Sequence, residues 1–455
     1  MDKTVIAIDI GSTSITSIVA QNDYNGKINI LGLGKSQSAG INKGSIVDID
    51  LASNAIKDAV DLAKSSYDAT INETFISIAG ANARSIRSHS SINVPSGQIT
   101  IKEIKQVLLV ALYDAQIVPE YEAIHVIPLY FKVDDSNAIA NPLNMNGSRL
   151  EVYANIITVK KTAITNIKNA LKKSNLEDVT FILKSYASSI GTLNDDQLKL
   201  GTLMIDLGAS TSDFAIVNNK AVIYNDFLPI GSENITNDLS IMLKTPIDAA
   251  NEIKKNYGAL IPKDEDQIKK IKIKLIGNDY AEETISSDFI QTIIHARVEE
   301  TLCLINEKVK NSGLKDKINN IILTGGMSKI NGIDTLCKKI FDNLPVQQQF
   351  PHTIQNGYIN FNDATLSTIV GILMYALDSD PRFELNSNKN LREKVIKEKP
   401  IIKEQKTTPK KDENQTVQKQ TEDDSFGILN IKNEAEKQKS NSFMSKVMKK
   451  FSEWL

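Results

Sequence analysis

Two short stretches carry the side chains best suited to phosphate chemistry. In the first, Val5-Ile6-Ala7-Ile8 runs into Asp9-Ile10-Gly11-Ser12-Thr13, and apolar residues resume between Ile15 and Ala20. In the second, Leu203-Met204-Ile205 runs into Asp206-Leu207-Gly208-Ala209-Ser210-Thr211-Ser212-Asp213 and out through Phe214-Ala215-Ile216-Val217. Each reads as a β-hairpin with an acid at its mouth. Glycine and small residues leave backbone N–H groups open to a phosphate or to another backbone. The aspartates stand 197 positions apart (206 minus 9). A device used twice implies a duplicated domain whose halves face each other across a phosphate. A third stretch, Ile321-Ile322-Leu323 followed by Thr324-Gly325-Gly326-Met327-Ser328, is a buried strand that ends in a glycine pair before a helix. That lets backbone lie against a flat ligand face.

The chain must build these elements within ordinary soluble bounds. Its 455 residues are 41% hydrophobic, 24% charged and 6% aromatic, enough for two or more domains with real cores. A formal net charge of −2 argues against a general nucleic-acid binder. Two cysteines, Cys303 and Cys337, both read as inert thiols, and a reducing compartment is expected. The opening Met1-Asp2-Lys3-Thr4 leads directly into a strand without a signal peptide, and no apolar run approaches a membrane span. The body is expected in the cytosol. His89, His125, His295 and His352 lack metal-ligand spacing, and no Ser-His-Asp or Cys-His arrangement is visible. Gly34-Lys35-Ser36 fails as a phosphate loop because Asn29 stands where its first glycine belongs.

Patterning divides the chain further. Residues 1–83 and 163–200 read as one α/β half, interrupted by a Ser-rich module over 84–162 whose helix is capped by Thr100 and Glu103. The second half covers 201–235 and 318–362, with a helical, charged subdomain over 236–317. A closing helix falls within 363–380. Residues 381–440 are rich in Lys, Glu, Gln, Asn and Ser and read as a disordered linker, spanning roughly 40–45 Å as a coil.

The last segment, 441–455, has a different pattern. Phe443, Val447, Phe451 and Trp454 stack at helical spacing, flanked by Met444, Met448 and Leu455, while Lys446, Lys449 and Lys450 take the other side. An apolar face opposite a basic face, too short to span, is an interfacial helix. Each lysine would add about 1 kcal/mol near anionic lipid.

The paired acidic hairpins, the strand-Gly-Gly-helix unit and the small-residue helix around Lys184-Ser185-Tyr186-Ala187-Ser188-Ser189-Ile190-Gly191 together resemble the actin, sugar-kinase and chaperone ATPase superfamily. That resemblance implies an actin-like two-lobed fold with RNase H-like halves that clasp ATP and Mg²⁺. Gly11, Ser12, Thr13, Gly208, Ser210 and Thr211 would hold phosphate oxygens, Asp9 and Asp206 would orient waters on the metal, and Gly325, Gly326 and Met327 would lie by the adenosine.

Within the superfamily the chain is most similar to the FtsA family of bacterial cell-division proteins. Ile30-Leu31-Gly32-Leu33-Gly34 and Ser38-x-Gly40-Ile41-x-Lys43-Gly44-x-Ile46-x-Asp48 look like its early segment. His125-Val126-Ile127-Pro128 and Asn141-Pro142-Leu143-x-x-x-Gly147 resemble its inserted subdomain, called 1C. Pro229-Ile230-Gly231-Ser232-x-Asn234 and Ala250-Asn251-Glu252-Ile253-Lys254 resemble segments beside the nucleotide, which adds Gly231, Glu252 and Lys254 to the expected set. The terminal helix is similar to the family's membrane-targeting sequence. Ala209-Ser210 replace a usual Gly-Gly pair, and Asn251 a common Glu. By the same resemblance Arg297 lies where FtsA receives the acidic C-terminal peptide of FtsZ, though a helix salt bridge with Glu300 explains it as well. The implied function is an ATP-binding protein that polymerises, ties FtsZ filaments to the cytoplasmic membrane face at the division site and recruits other division proteins. It would be a weak ATPase at most. The alternatives are a sugar kinase or ATPase of the same fold, and a pilus-assembly type of ATP-binding adaptor.

Deleting residues 442–455 should abolish sedimentation with anionic vesicles while ATP binding persists. A truncated chain that still pellets would remove the membrane reading.

Overall fold

A computed structural model describes residues 3–23, 26–65, 70–176, 178–260, 269–276, 278–354, 360–377 and 383–392, without the side chains of 278–282. The linker expected beyond residue 392 and the terminal helix expected over 441–455 lie outside the described residues.

In the first lobe β1 (Thr4–Ile10), β2 (Ser14–Asn22) and β3 (Ile28–Gln37) form an antiparallel meander. A small hairpin, β4 (Ile41–Asn42) with β5 (Ser45–Ile46), and helix α1 (Ile49–Lys64) lead to β6 (Glu73–Ile78). The inserted module follows as β7 (Ala83–Asn93), α2 (Ile101–Asp114), β8 (Tyr121–Val133) and β9 (Arg149–Lys160). The chain then returns through α3 (Lys161–Leu171) to β10 (Val179–Leu183), α4 (Lys184–Thr192) and α5 (Asp195–Leu200). β6 and β10 extend the first sheet in parallel, giving the order β10-β6-β1-β2-β3.

The second lobe repeats the scheme. β11 (Thr202–Leu207), β12 (Ser212–Asn218) and β13 (Ala221–Leu228) form the meander. Next come α6 (Ser232–Leu243), α7 (Ile247–Tyr257), a hairpin of β14 (Lys270–Leu275) and β15 (Asn278–Ser286), and α8 (Ser287–Asn311). β16 (Asn320–Thr324), α9 (Ile333–Ile340) and β17 (Val346–Gln348) complete a sheet ordered β13-β12-β11-β16-β17. Helix α10 (Ser367–Leu377) then packs on the first lobe. The central strands β1 and β11 are buried along nearly their whole length, as strands covered on both faces must be.

Glycines set the closest approaches. A Cβ on Gly34 would overlap the Ala59 carbonyl, so the Gly34-Lys35-Ser36 run serves helix-on-strand packing of α1. Where α4 crosses α10, a Cβ on Gly191 would overlap Ser367 O and one on Gly371 would overlap Ala187 O. The small residues of α4 let two backbones touch.

Two regions differ from expectation. Residues 236–317 are not wholly helical, because β14 and β15 form a hairpin between α7 and α8. Lys270-Ile271-Lys272-Ile273-Lys274 alternates with a period of two, burying Ile271 and Ile273, and the charge of the region hides that strand signal. Residues 383–392, expected as linker, carry strands instead. β18 (Glu384–Leu385) and β19 (Leu391–Arg392) add to the module's sheet, ordered β19-β18-β8-β9-β7. A composition-based reading treats Glu384 as solvated, yet it is 0% exposed. Tyr186 and Tyr375 hydroxyls donate to its carboxylate at 2.6 and 2.5 Å. His125 Nδ1 lies 3.4 Å and Arg392 3.6 Å from it. Burial alone would raise the carboxyl, but Arg392, His125 and Tyr186 outweigh that and bring it down to about 2. His125 is also the packed core imidazole expected of it, its Nε2 accepting from Leu183 N at 3.1 Å.

Replacing Glu384 by Ala removes an acceptor shared by two tyrosines and a guanidinium, and should cost about 3–5 kcal/mol in urea denaturation. Because the folded carboxyl titrates below its ordinary value, its contribution is complete above about pH 4.5 and is lost as pH falls towards 2. The variant should lack that part of the acid transition.

Candidate functional site

The two hairpin turns are built alike. Gly11 N donates to Ser14 O at 3.1 Å, and Gly208 N to Thr211 O at 2.9 Å. A Cβ on either glycine would stand 2.6 or 2.7 Å from that same carbonyl, so each turn is tight enough to require glycine. The first hairpin is braced by Ser38, whose Oγ donates to Gly11 O at 2.8 Å. The second rests on the start of α6, where Ser232 N and Glu233 N donate to the Gly208 and Ala209 carbonyls. A Cβ on Gly231 would overlap Ala209 O. Gly231 is therefore a support behind the second hairpin. The hairpins meet directly, with Ser210 Oγ donating to Ser12 Oγ.

Three aspartates stand on the strands that flank these turns, Asp9 on β1, Asp206 on β11 and Asp213 on β12. Asp9 Oδ1 accepts from Ser77 Oγ at 2.7 Å, and Lys184 Nζ lies 3.6 Å from the same oxygen. Asp206 Oδ2 accepts from Ser188 Oγ at 2.6 Å and Thr368 Oγ1 at 3.2 Å. Asp213 accepts from Gly80 N at 2.8 Å and Thr211 Oγ1 at 2.9 Å. Burial pushes the Asp206 and Asp213 carboxyls up, against the pull of Lys184. Burial disfavours the Lys184 ammonium, but Asp9, Asp206 and Asp213 more than offset this and raise it. It stays charged.

Gly325 has φ +84°, and a Cβ there would overlap Asp206 Oδ1. Gly326 faces open space apart from Thr365 at 3.5 Å. Met327 is buried in the second lobe's core, so only its backbone is available to a ligand. Lys254 reaches the first turn of α6, Nζ donating to Ser232 O at 3.1 Å and Thr236 Oγ1 at 2.7 Å, and burial lowers its amine despite Glu233. Glu252 is exposed and pairs with Lys255 at 2.9 Å, so it does not converge with the hairpins. Arg297 binds Asp238 through two hydrogen bonds of 2.6 and 2.9 Å and Glu300 through a third of 2.5 Å.

The donor set suits an anion. Hydroxyls of Ser12 and Ser210 meet between the lobes, and the Lys184 ammonium lies beside Asp9. Among the described residues no group of three His, Cys, Asp or Glu is arranged to hold a metal directly. Asp9 Oδ2 and Asp206 Oδ1 take none of the bonds above, which fits a hydrated Mg²⁺ reached through its waters. Lys184, Ser188, Thr368 and Gly80 were missed from sequence. Asp213 stood inside the quoted motif without a role. The available signal was Lys184 itself, a lone charge between the apolar run Phe181-Ile182-Leu183 and a small-residue helix.

Comparison with known proteins bears on this geometry. A family model described as Cell division protein FtsA matches residues 203–371, and one described as SHS2 domain inserted in FTSA matches 80–158. Cell division protein FtsA of Helicobacter pylori is 30% identical over 420 residues, covering 86% of this chain and 85% of that protein. FtsA of Pseudomonas aeruginosa is 29% identical over 377 residues, 82% of this chain and 89% of that one. Among solved structures, MreB5 of Spiroplasma citri bound to ADP aligns with TM-score 0.52 at 15% identity, covering 83% of this chain and 99% of that one. The PilM-PilN type IV pilus biogenesis complex aligns with TM-score 0.55 at 13% identity, covering 82% and 98%. These last two establish an actin-like fold.

Gly325→Ala should lose about 1–3 kcal/mol of stability in urea, from strain at positive φ and displacement of Asp206. Gly326→Ala should stay within about 0.5 kcal/mol of the parent.

Proposed function

The chain belongs to the FtsA family of cell division proteins, and from that premise we propose that it is an ATP-binding, actin-like adaptor. In this reading it polymerises, anchors FtsZ filaments to the cytoplasmic membrane face at the division site and recruits later division proteins. The observation that carries the nucleotide part is the seam between the lobes. Two similarly built glycine turns, each following a strand that carries an aspartate, meet through Ser12 and Ser210, and Lys184 lies beside Asp9. Gly11, Ser12, Thr13, Gly208, Ser210 and Thr211 would receive the phosphates and Gly325 and Gly326 the adenosine, with Mg²⁺ held through waters by Asp9 and Asp206. The ADP carried by the MreB5 structure supports a nucleotide in this fold.

Phosphate entry would replace the Ser12–Ser210 contact and reset the angle between lobes, which suits a nucleotide-dependent latch for self-association better than a fast catalyst. FtsZ would bind the subdomain of α6, α7 and α8. Arg297 could join such an interface only by exchanging Asp238 or Glu300 for a peptide carboxylate. Membrane attachment would come from residues 441–455. Among the described residues no helix is long and apolar enough to cross a membrane.

Co-sedimentation with FtsZ and anionic vesicles, with and without ATP, tests the whole reading. FtsZ should pellet with vesicles only when this chain is present, and Asp206→Ala should weaken ATP binding by at least about tenfold, the loss of roughly one charge-assisted contact. FtsZ left in the supernatant would refute the adaptor role, and unchanged ATP affinity in Asp206→Ala the nucleotide site.

A further inference from the structure

Lys184 opens α4 directly after β10. Its side chain is 16% exposed and that of Asp9, 3.6 Å away, 12%. Ser188, one turn along the same helix, donates to Asp206 of the other lobe at 2.6 Å, which brings that acid to the same end of α4. The charges of Asp206 and Asp213 favour the ammonium. The three acids come from both lobes, Asp9 from β1 and the other two from β11 and β12. Buried carboxylates so placed repel one another and stay ionised only beside positive charge. Sites that join carboxylates to substrate phosphates commonly take that charge from Mg²⁺. Here it is part of the chain.

The remaining donors agree with a site completed by protein groups. Ser188 and Thr368 serve Asp206, Gly80 and Thr211 serve Asp213, and Ser77 serves Asp9. A divalent ion lodged directly among these acids would meet the ammonium beside Asp9, and like charges in a buried site repel strongly, so Mg²⁺ would stay outside them, reached through its waters. We propose that Lys184 takes the electrostatic place of a divalent cation between the lobes, so that the cleft closes, and accepts nucleotide phosphate, with little dependence on Mg²⁺. The nucleotide part rests on the function proposed above, whereas the closure of the free protein does not.

The test uses the full chain as wild type, Lys184→Gln and Lys184→Arg. Thermal melts without nucleotide are compared in Mg²⁺ and in EDTA, followed by ATP titrations in the same two buffers. Wild type and Lys184→Arg should melt at the same temperature in both buffers and change ATP affinity less than about threefold. Lys184→Gln should melt several degrees lower in EDTA, recover at least half of the loss in Mg²⁺, and bind ATP at least about tenfold more weakly in EDTA than in Mg²⁺. Wild type gaining as much from Mg²⁺ as Lys184→Gln, or a glutamine variant indifferent to Mg²⁺, overturns the proposal. If Lys184→Gln does not fold, the wild-type melts decide alone, Mg²⁺ dependence refuting and independence supporting. Absence of ATP binding to wild type in either buffer would end the nucleotide reading, while the melts would still judge the lysine.

Discussion

Helices α4 and α10 touch backbone to backbone because Gly191 and Gly371 carry no side chain at their crossing, and two buried carboxylates depend on that contact. Ser188 of α4 and Thr368 of α10 both donate to Asp206 and lie 2.9 Å from each other. Tyr186 of α4 and Tyr375 of α10 both donate to Glu384. A side chain at either glycine would separate the helices and could not preserve both sets of bonds. The crossing therefore couples the hairpin acid of the second lobe to the strand that seals the inserted module.

A second coupling starts at the same cluster. Gly80, at the entrance to the inserted module, donates its N–H to Asp213, and a Cβ there would stand 2.7 Å from that carboxylate and 3.0 Å from Phe227. Within the module Asn155 donates to Val222 O at 2.8 Å. Ser85 Oγ on β7 also donates to Asn225 Oδ1 at 2.5 Å. These hydrogen bonds tie the module and its entrance to the second lobe, one of them through a cleft carboxylate. A change at Asp213 would alter the bond that holds the module's entrance.

Much of this was legible in the sequence, for identifiable reasons. The hairpins were visible because apolar strands flank an acid and a glycine twice, and the capping box of α2 because Thr100 and Glu103 stand three apart. Local patterns carried local structure. What they could not carry was pairing across the fold. Glu384 reads as solvent-facing until His125, Tyr186, Tyr375 and Arg392, none of them its neighbour in sequence, are brought around it. The Lys270–Lys274 strand was obscured because its lysines dominate composition while its isoleucines do the packing. Glu252 and Lys254 share one local motif, yet one faces solvent and the other reaches α6. Arg297 shows the converse, since the bland reading anticipated Glu300 but not the bidentate Asp238, 59 positions away.

Lys184 lies at the limit of such reading. A lysine opening a helix of small residues looks like an exposed end, because lysine is rarely buried unless paired. Its ion-pair partner is Asp9, 175 positions earlier (184 minus 9), and Ser188 one turn along its helix holds Asp206 of the opposite lobe. The duplication of the fold brings Asp9 and Asp206 to one seam, since each half delivers its hairpin acid, while Asp213 stands where the first half has Thr16. The same symmetry that makes a phosphate clasp also concentrates negative charge where a phosphate must enter. Some cation has to be there before the ligand arrives, and a lysine rooted at the α4 crossing ties that charge to the helix pair that also holds Asp206 and Glu384.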